Sequence, residues 1–338
     1  MGTIGLVFDL GSSYQSRGNF NHDPGVECLE EACVALLSEL IESMGHRCVG
    51  IPSTQQLAAL ASAKIPNLLD GFVNYGTGYD QGHRYVHTAV LLEMIGAPYA
   101  GNDPMVMGLC RDKQKTRNLM ERAGVLVPAG LFVTEQTRHL IPEISEKILP
   151  ALIKPNNEGG SLGVVGEIFH TKSALKIAAN RLLEVFPEGV LIERYIPGPE
   201  ITVTLIGNEP DIQIFPLVMT AQSQPVGEDF IYDYDTKMNN LNAVTYMWEP
   251  MEFHFDNRMV ELVRSASSMV TKTLGLRDFF RIDFRLNAHG ILYLLECNSQ
   301  PAIETGNTYL EIINNHYFES PHGAQKAFLQ KAFMRMGI

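Results

Sequence analysis

Chemistry on phosphates or acyl groups needs converging carboxylates and a fixed cation, and one stretch of this chain carries both. Arg281–Pro301 reads RIDFRLNAHGILYLLECNSQP. Two runs of strand-forming residues, Arg281–Leu286 and Ile291–Cys297, flank the turn Asn287-Ala288-His289-Gly290, which is a β-hairpin signal. Side chains alternate along a strand. With Leu286 set opposite Ile291, the residues Ile282, Phe284, Leu286, Ile291, Tyr293 and Leu295 share one face, and Arg281, Asp283, Glu296 and Asn298 the other. Asp283 and Glu296 are then diagonal neighbours, about 7–8 Å apart at the backbone and within reach of one ion. Two carboxylates and an amide oxygen suit a hard divalent cation such as Mg²⁺, and Arg281 beside them suits an anion held by that metal. Taken alone, the same hairpin reads as an amphipathic one with a solvated polar face. The company it keeps upstream argues for the metal.

Lys154-Pro155-Asn156-Asn157-Glu158-Gly159-Gly160-Ser161 sets a strand-ending lysine before a glycine-rich loop. Glycines let successive backbone N–H groups aim at one anion, and the lysine adds a point charge. No G-K-[ST] follows at the spacing of a Walker loop, and a glycine-rich turn with a surface lysine has the same composition. Glu193–Glu200, ERYIPGPE, places two carboxylates around a Pro-Gly turn. A glutamate there can accept hydrogen bonds from ribose hydroxyls, while the backbone of Arg194–Ile196 can read an adenine edge. A solvated turn is the plainer alternative.

The elements that must position these residues follow from periodicity. Thr3–Asp9 reads as a buried strand, Glu27–Gly45 as a helix ending at a glycine, Arg47–Ile51 and Leu68–Asn74 as strands, and Tyr85–Ile95 as a helix. This opens a βαβ unit, so a parallel sheet with flanking helices is expected. No G-x-G-x-x-G follows the first strand, so a dinucleotide site is not. Further on, Lys113–Ala123, Thr171–Val185, Val260–Thr273 and Gly323–Met336 read as helices. Ala151–Pro155, Val164–Phe169, Val190–Tyr195, Glu200–Ile206 and Asp211–Met219 read as strands. Thr220–Glu249 is long, polar and aperiodic, the mark of a lid or a linker.

A chain of 338 residues exceeds most single cores, so two or three domains are expected. Its 26 basic against 38 acidic side chains, a net charge of −12, argue against a nucleic-acid surface and leave ATP binding open. Five cysteines, an odd count without metal-like spacing, read as free thiols in a reducing compartment. No apolar run approaches the ~18 residues of a membrane span, and no basic region precedes an apolar one at the start. A cytoplasmic protein without membrane or nucleic-acid partners is expected.

Taken in order, Lys113, Lys154 with its loop, E-x-x-x-x-G-x-E, Lys237 in YDYDTK, and R-x-D…E-x-N-x-x-P resemble the ATP-grasp superfamily, most closely its D-alanine–D-alanine ligase branch. The resemblance implies an α/β (α+β) three-domain ATP-grasp fold: an N-terminal parallel-sheet (pre-ATP-grasp) domain over 1–103, a central domain over 104–190, and a C-terminal domain over 191–338 carrying the lid and metal site. It implies that Lys113 and Lys154 bind phosphates under a loop of Gly159, Gly160 and Ser161. Glu193, Arg194 and Ile196 read adenine, Glu200 holds the ribose and Leu295 underlies the base. Lys237 belongs to the lid, Asp283, Glu296 and Asn298 hold Mg²⁺ (or Mn²⁺), and Arg281 steadies an acyl phosphate. A homodimer is a family expectation.

The sequence also departs from that family. Leu10-Gly11-Ser12-Ser13 stands where G-G-x-S-x-E-x-E-V-S is expected, Gly160 where a second loop serine is, and Met238 where a tyrosine follows the lid lysine. Pro301-Ala302-Ile303-Glu304 replaces Pro-Gly-Met-Thr, Asn307 falls near the serine that grips the acceptor carboxylate, and H-G-x-x-G-E-D-G is degraded over Tyr75–Gly82. The ATP chemistry reads as intact and both substrate pockets as rebuilt, with Ser12, Tyr14, His22, Arg84, Met238, Ala302, Glu304 and Asn307 as candidate substrate residues. The expectation is an ADP-forming ligase that joins a small carboxylate to an amine, other than two D-alanines. The alternatives are a genuine D-alanine–D-alanine ligase and a nucleotide-binding protein without chemistry.

Overall fold

From Thr3 to Ala100 short apolar runs alternate with amphipathic helices, and they fold as successive βαβ units. The structure, a computed structural model, describes residues 1–11, 28–63, 68–78, 84–159, 167–221, 246–303 and 308–338. Strands β1 (Thr3–Phe8), β2 (Arg47–Pro52), β3 (Gly71–Tyr75) and β4 (Tyr99–Ala100) form a parallel sheet in the order β2-β1-β3-β4. Helices α1 (Glu31–Ser43), α2 (Thr54–Ser62) and α3 (Val86–Met94) connect them. Helix α2 is a piece that apolar periodicity did not reveal; its start is set by Ser53, whose side chain accepts from Gln56 N.

Two antiparallel sheets follow. Strands β5 (Gly130–Val133), β6 (Ala151–Pro155) and β7 (Val190–Arg194) pair in the order β5-β7-β6. Helix α4 (Pro104–Arg111) and helix α5 (Lys113–Arg122) precede them, and α6 (Lys172–Val185) covers them, capped by Thr171 as its sequence suggests. The second domain boundary expected from sequence, at 190/191, would cut β7 away from the two strands it pairs with.

Strands β8 (Glu200–Asn208), β9 (Asp211–Ala221), β10 (Tyr246–Pro250), β11 (Asp278–Leu286) and β12 (Leu292–Asn298) form the third sheet, ordered β10-β9-β8-β11-β12. The stretch expected to lack structure from Thr220 to Glu249 begins and ends as paired strand, Ala221 opposite Tyr246. Helix α7 (Asn257–Leu274) packs on this sheet, and α8 (Thr308–Ile313) and α9 (Gly323–Met336) end the chain. Phe328, Leu329 and Ala332 of α9 share one core with Ile4, Leu6 and Val73 of the first sheet and Ile206 of the third.

The hairpin of β11 and β12 differs from its expected register. Leu286 pairs with Leu292, Phe284 with Leu294, and then the register slips so that Asp283 pairs with Glu296. Leu295 is the extra residue of a β-bulge. Ile282, Phe284 and Leu286 bury with Leu292, Leu294 and Cys297, whereas Ile291, expected on that face, is exposed. Tyr293 and Leu295 likewise leave the core face. A regular ladder would bring Leu295 opposite Asp283 and turn Glu296 into the core, because one residue of slip reverses every side chain. The bulge lets Leu294 stay buried and still sets Glu296 directly across from Asp283, where a diagonal relation was expected.

Candidate active site

Lys154 and Lys113 come from different elements. Lys154, next to last on β6, places its ammonium 2.6 Å from Glu193 Oε2, while Arg117 Nη1 of α5 donates to the other oxygen of Glu193. Glu193, only 2% exposed, is thereby enclosed by two cations. Lys113 begins α5, whose first turn is stitched to the glycine-rich loop: Gln114 N donates to Asn156 Oδ1 at 2.9 Å and Asn156 Nδ2 donates to Asp112 Oδ1 at 2.9 Å. Its ammonium donates to the Glu158 carbonyl and lies 3.9 Å from Glu296 Oε2. Burial pulls the Lys113 pKa below the ordinary lysine value, against the Glu296 carboxylate, which raises it.

Asp283, Glu296 and Asn298 converge on the polar face of the hairpin. Asn298 Nδ2 donates to Asp283 Oδ2 at 3.0 Å and to Glu296 Oε1 at 3.3 Å, so one N–H₂ group bridges both carboxylates. Arg281 holds Asp283 through both oxygens, Nε to Oδ1 at 2.9 Å and Nη2 to Oδ2 at 2.8 Å, and Thr202 Oγ1 of β8 donates to Oδ1 at 2.6 Å. Burial pushes the Asp283 carboxyl upward. Burial would also raise Glu296, but Lys113, Lys154 and Arg281 outweigh it and hold that carboxyl well below its usual range. Arg281 Nη1 has no hydrogen-bond partner among the described residues, and the guanidinium sits 5.5 Å from the Tyr309 ring centre. Two carboxylates set side by side and joined by a single donor are a fitting oxygen set for a hard divalent cation. Asn298 would turn its amide oxygen toward it. Among the described residues no cluster of three or more His, Cys, Asp or Glu offers a different metal site.

Glu200 opens β8 opposite Arg285 of β11. Arg285 Nη2 donates to Glu200 Oε2 at 3.3 Å, and Nη1 donates to the Tyr195 hydroxyl at 2.8 Å and the Ile196 carbonyl at 3.2 Å. Burial raises the Glu200 pKa, and Arg285 opposes that rise. Arg194 is exposed, Ile196 is buried, and Leu295 is half-buried at the bulge.

A cleft of about 140 Å³ runs between the first sheet and the hairpin. Lys113, Gly159, Arg281, Glu296, Asn298 and Ala302 all line it, and Asp283 bonds into it from behind. Tyr75, Thr77 and Tyr85 of the N-terminal segment form the facing wall, with Arg111, whose guanidinium lies 4.3 Å over the Tyr85 ring and pairs with Glu158 at 3.3 Å. Lys154, Glu193, Arg194, Ile196, Glu200 and Leu295 lie outside this lining. Arg84 is buried, its guanidinium 5.1 Å from the Tyr85 ring centre. The expected roles of Ser12, Tyr14, His22, Gly160, Ser161, Lys237, Met238, Glu304 and Asn307 fall on residues outside those described. Sequence reasoning missed Arg117, Arg285 and Thr202. The alternation that picks out Arg281 and Asp283 also picks out Arg285, so that residue was within reach of the pattern; Arg117 and Thr202 carried no comparable signal.

Residues 119–320 match the family described as D-ala D-ala ligase C-terminus. The chain is 32% identical over 224 residues to a D-alanine–D-alanine ligase of Mannheimia succiniciproducens, 65% of this chain and 67% of that protein. It is 28% identical over 237 residues to the protein y4sG of Sinorhizobium fredii, 70% of this chain and 67% of that one. Among solved structures, the D-alanine–D-alanine ligase of Bacillus anthracis superposes with a TM-score of 0.73 at 19% identity, covering 100% of this chain and 99% of that one. The same ligase in complex with ATP gives 0.69 at 18% identity, over 100% and 99% of the two chains.

Proposed function

Since the chain belongs to the D-alanine–D-alanine ligase-like ATP-grasp family and is an ADP-forming ligase, we propose that it joins a small carboxylate to an amine through an acyl phosphate, with substrates other than two D-alanines. The observation that carries this reading is the convergence of Lys113, Arg281, Glu296 and Asn298 on one cleft, with Asp283 held behind them. Asp283, Glu296 and Asn298 would hold Mg²⁺, which when bound supplies positive charge to the phosphate oxygens. Lys113 and Lys154 would neutralise phosphates from the other side. Arg281, anchored by Asp283 and with Nη1 uncommitted, is placed to meet negative charge on the acyl phosphate and on the oxyanion formed when the amine attacks. A backbone N–H from the Ala302–Ile303 turn would share that work, and Lys237 and Ser161 would close over the phosphates, excluding water that would hydrolyse the intermediate.

Glu193, Arg194, Ile196 and Leu295 would surround adenine and Glu200 would meet the ribose. Ser12, Tyr14, Met238, Ala302, Glu304 and Asn307 would shape the two substrate pockets. We place the domains at 1–103, 104–194 and 195–338, moving the second boundary past β7 because of its pairing. A cytoplasmic homodimer is the family expectation; among the described residues no helix is long and apolar enough to cross a membrane.

Screening amino acids and small carboxylates for amine-dependent ADP release, with mass spectrometry of the product, tests the reading. Asp283→Asn and Arg281→Ala should each abolish that release while the protein stays folded; unchanged turnover in either variant would sink the assignment. The printed name of the Mannheimia relative favours a second reading, a ligase of two D-alanines. Incubation with D-alanine, ATP and Mg²⁺ separates the two, because only that reading yields the dipeptide.

A further inference from the structure

Of the residues expected to read adenine, Glu193 and Arg194 end a strand and Ile196 lies on the loop that follows. β7 ends at Arg194, and Tyr195–Pro199 runs irregularly until β8 starts at Glu200. Backbone groups can read a base only if they are fixed in space, yet Pro197 and Pro199 have no N–H to bond, and Gly198 sits at φ 129°. The loop is instead held by one end of the hairpin. Leu286 N donates to the Pro199 carbonyl at 3.2 Å. Arg285, 3% exposed, donates to the Tyr195 hydroxyl, the Ile196 carbonyl and the Glu200 carboxylate, and lies 5.0 Å from the Tyr195 ring centre. One planar guanidinium thus spans the base-reading segment and the carboxylate expected at the ribose. A lysine, with a single nitrogen, has no such fork.

We propose that Arg285 is a positioning residue for the nucleotide: it holds the Ile196 peptide and the Glu200 carboxylate in the relative placement that adenine and its ribose require, and so sets selectivity for adenine over a 6-oxopurine. The proposal rests on the reading of this region as the ATP site. Arg285 acts through Ile196 and Glu200, two groups that meet different parts of one ligand. Its loss should therefore disturb base selectivity, which loss of the ribose contact alone would leave untouched.

Calorimetric binding of MgATP and MgITP to the full chain tests this without knowledge of the other substrates. ITP keeps the ribose and phosphates of ATP but carries an oxygen in place of the 6-amino group, reversing the hydrogen-bonding pattern of the base edge. Wild type should prefer ATP by about tenfold or more. Glu200→Gln should weaken both nucleotides and keep that ratio. Arg285→Met, alone or with Glu200→Gln, should bring the ratio to within about threefold of unity. If Arg285→Met does not fold by circular dichroism, Arg285→Lys carries the test, with the ratio falling at least about threefold. A wild-type ratio in the folded Arg285 variant overturns the proposal, as does a wild type that binds both nucleotides equally. A wild type that binds neither overturns the ATP reading itself.

Discussion

Burying Glu193 between Arg117 and Lys154 commits three charges to one small volume, and a buried carboxylate that loses a partner is costly. Arg117→Met leaves Lys154 as the remaining cation, so stability should fall by about 3 kcal/mol, the low end for a broken buried pair. Urea denaturation measures this, and a loss well under 1 kcal/mol would mean that Lys154 alone suffices. Asp9 makes a second case at this scale. It directly follows β1 and accepts from Thr77 N at 2.9 Å and Gly78 N at 3.0 Å, holding one wall of the cleft. Burial raises its pKa above 3.8, more than those N–H bonds lower it. The native state therefore binds this proton more tightly than the unfolded chain does, and stability contributed by Asp9 is lost as pH rises through the native value. Wild type should lose stability relative to Asp9→Asn as pH rises from the ordinary aspartate value through the raised native one, and run parallel to it above that. Urea titrations at each pH follow the difference; a constant difference across the range contradicts the assignment.

Two elements of the proposed site are shaped by irregularities. In the hairpin, Leu295 is the bulge that puts Glu296 across from Asp283. Deleting Leu295 should restore a regular ladder in which Glu296 follows Leu294 directly and still pairs with Asp283, so Mg²⁺-dependent ATP binding should survive the deletion; calorimetry of a folded deletion that no longer binds MgATP would refute this account of the bulge. The turn between β7 and β8 depends on Gly198. A Cβ there would lie 2.0 Å from the Leu286 carbonyl oxygen, at a φ of 129° that side chains seldom adopt. Gly198→Ala should cost about 2–3 kcal/mol in chemical denaturation and weaken ATP together with it. The sequence showed the Pro-Gly-Pro turn and the hairpin plainly, since proline, glycine and strand formers are local signals. It did not show the bulge, because whether Glu296 or Leu295 faces inward depends on which neighbour has room for a leucine.

Over the whole molecule, the placement of the cleft walls turns on Asp278, fully buried and in the left-handed region at φ 65°. Its carboxylate accepts from Gly101 N after β4, Asn208 Nδ2 at the end of β8, and Arg335 Nε and Nη2 of α9. Asn102 adds a second tie, donating to the Ser299 carbonyl at 2.7 Å. The first sheet is thereby pinned to the start of β11, three residues before Arg281. Asp278→Ala should cost about 3 kcal/mol, moderated by the partial exposure of Arg335, and Asp278→Gly less, since glycine relieves the backbone strain. Equilibrium unfolding of both variants decides it, and equal losses would remove backbone strain from the account. Nothing local marks Asp278 as special: its partners lie 57 to 177 residues away.

The order Lys113, Lys154, Glu193, Glu200, Arg281, Asp283, Glu296 and Asn298 was enough by itself to determine the class of reaction. The roles proposed for them, as hard-cation ligands, phosphate-binding lysines and a ribose carboxylate, rest on residue types, and types and spacing are written in the chain. The βαβ opening and the hairpin were equally legible, because hydrophobic periodicity is local. Only the tertiary structure decided that Asp283 and Glu296 stand directly opposite each other, that Glu193 is enclosed by Arg117, and that Arg285 holds the loop before Glu200. Each of these depends on packing between segments far apart in sequence, where the room left by a neighbour selects one register or rotamer that no local pattern encodes.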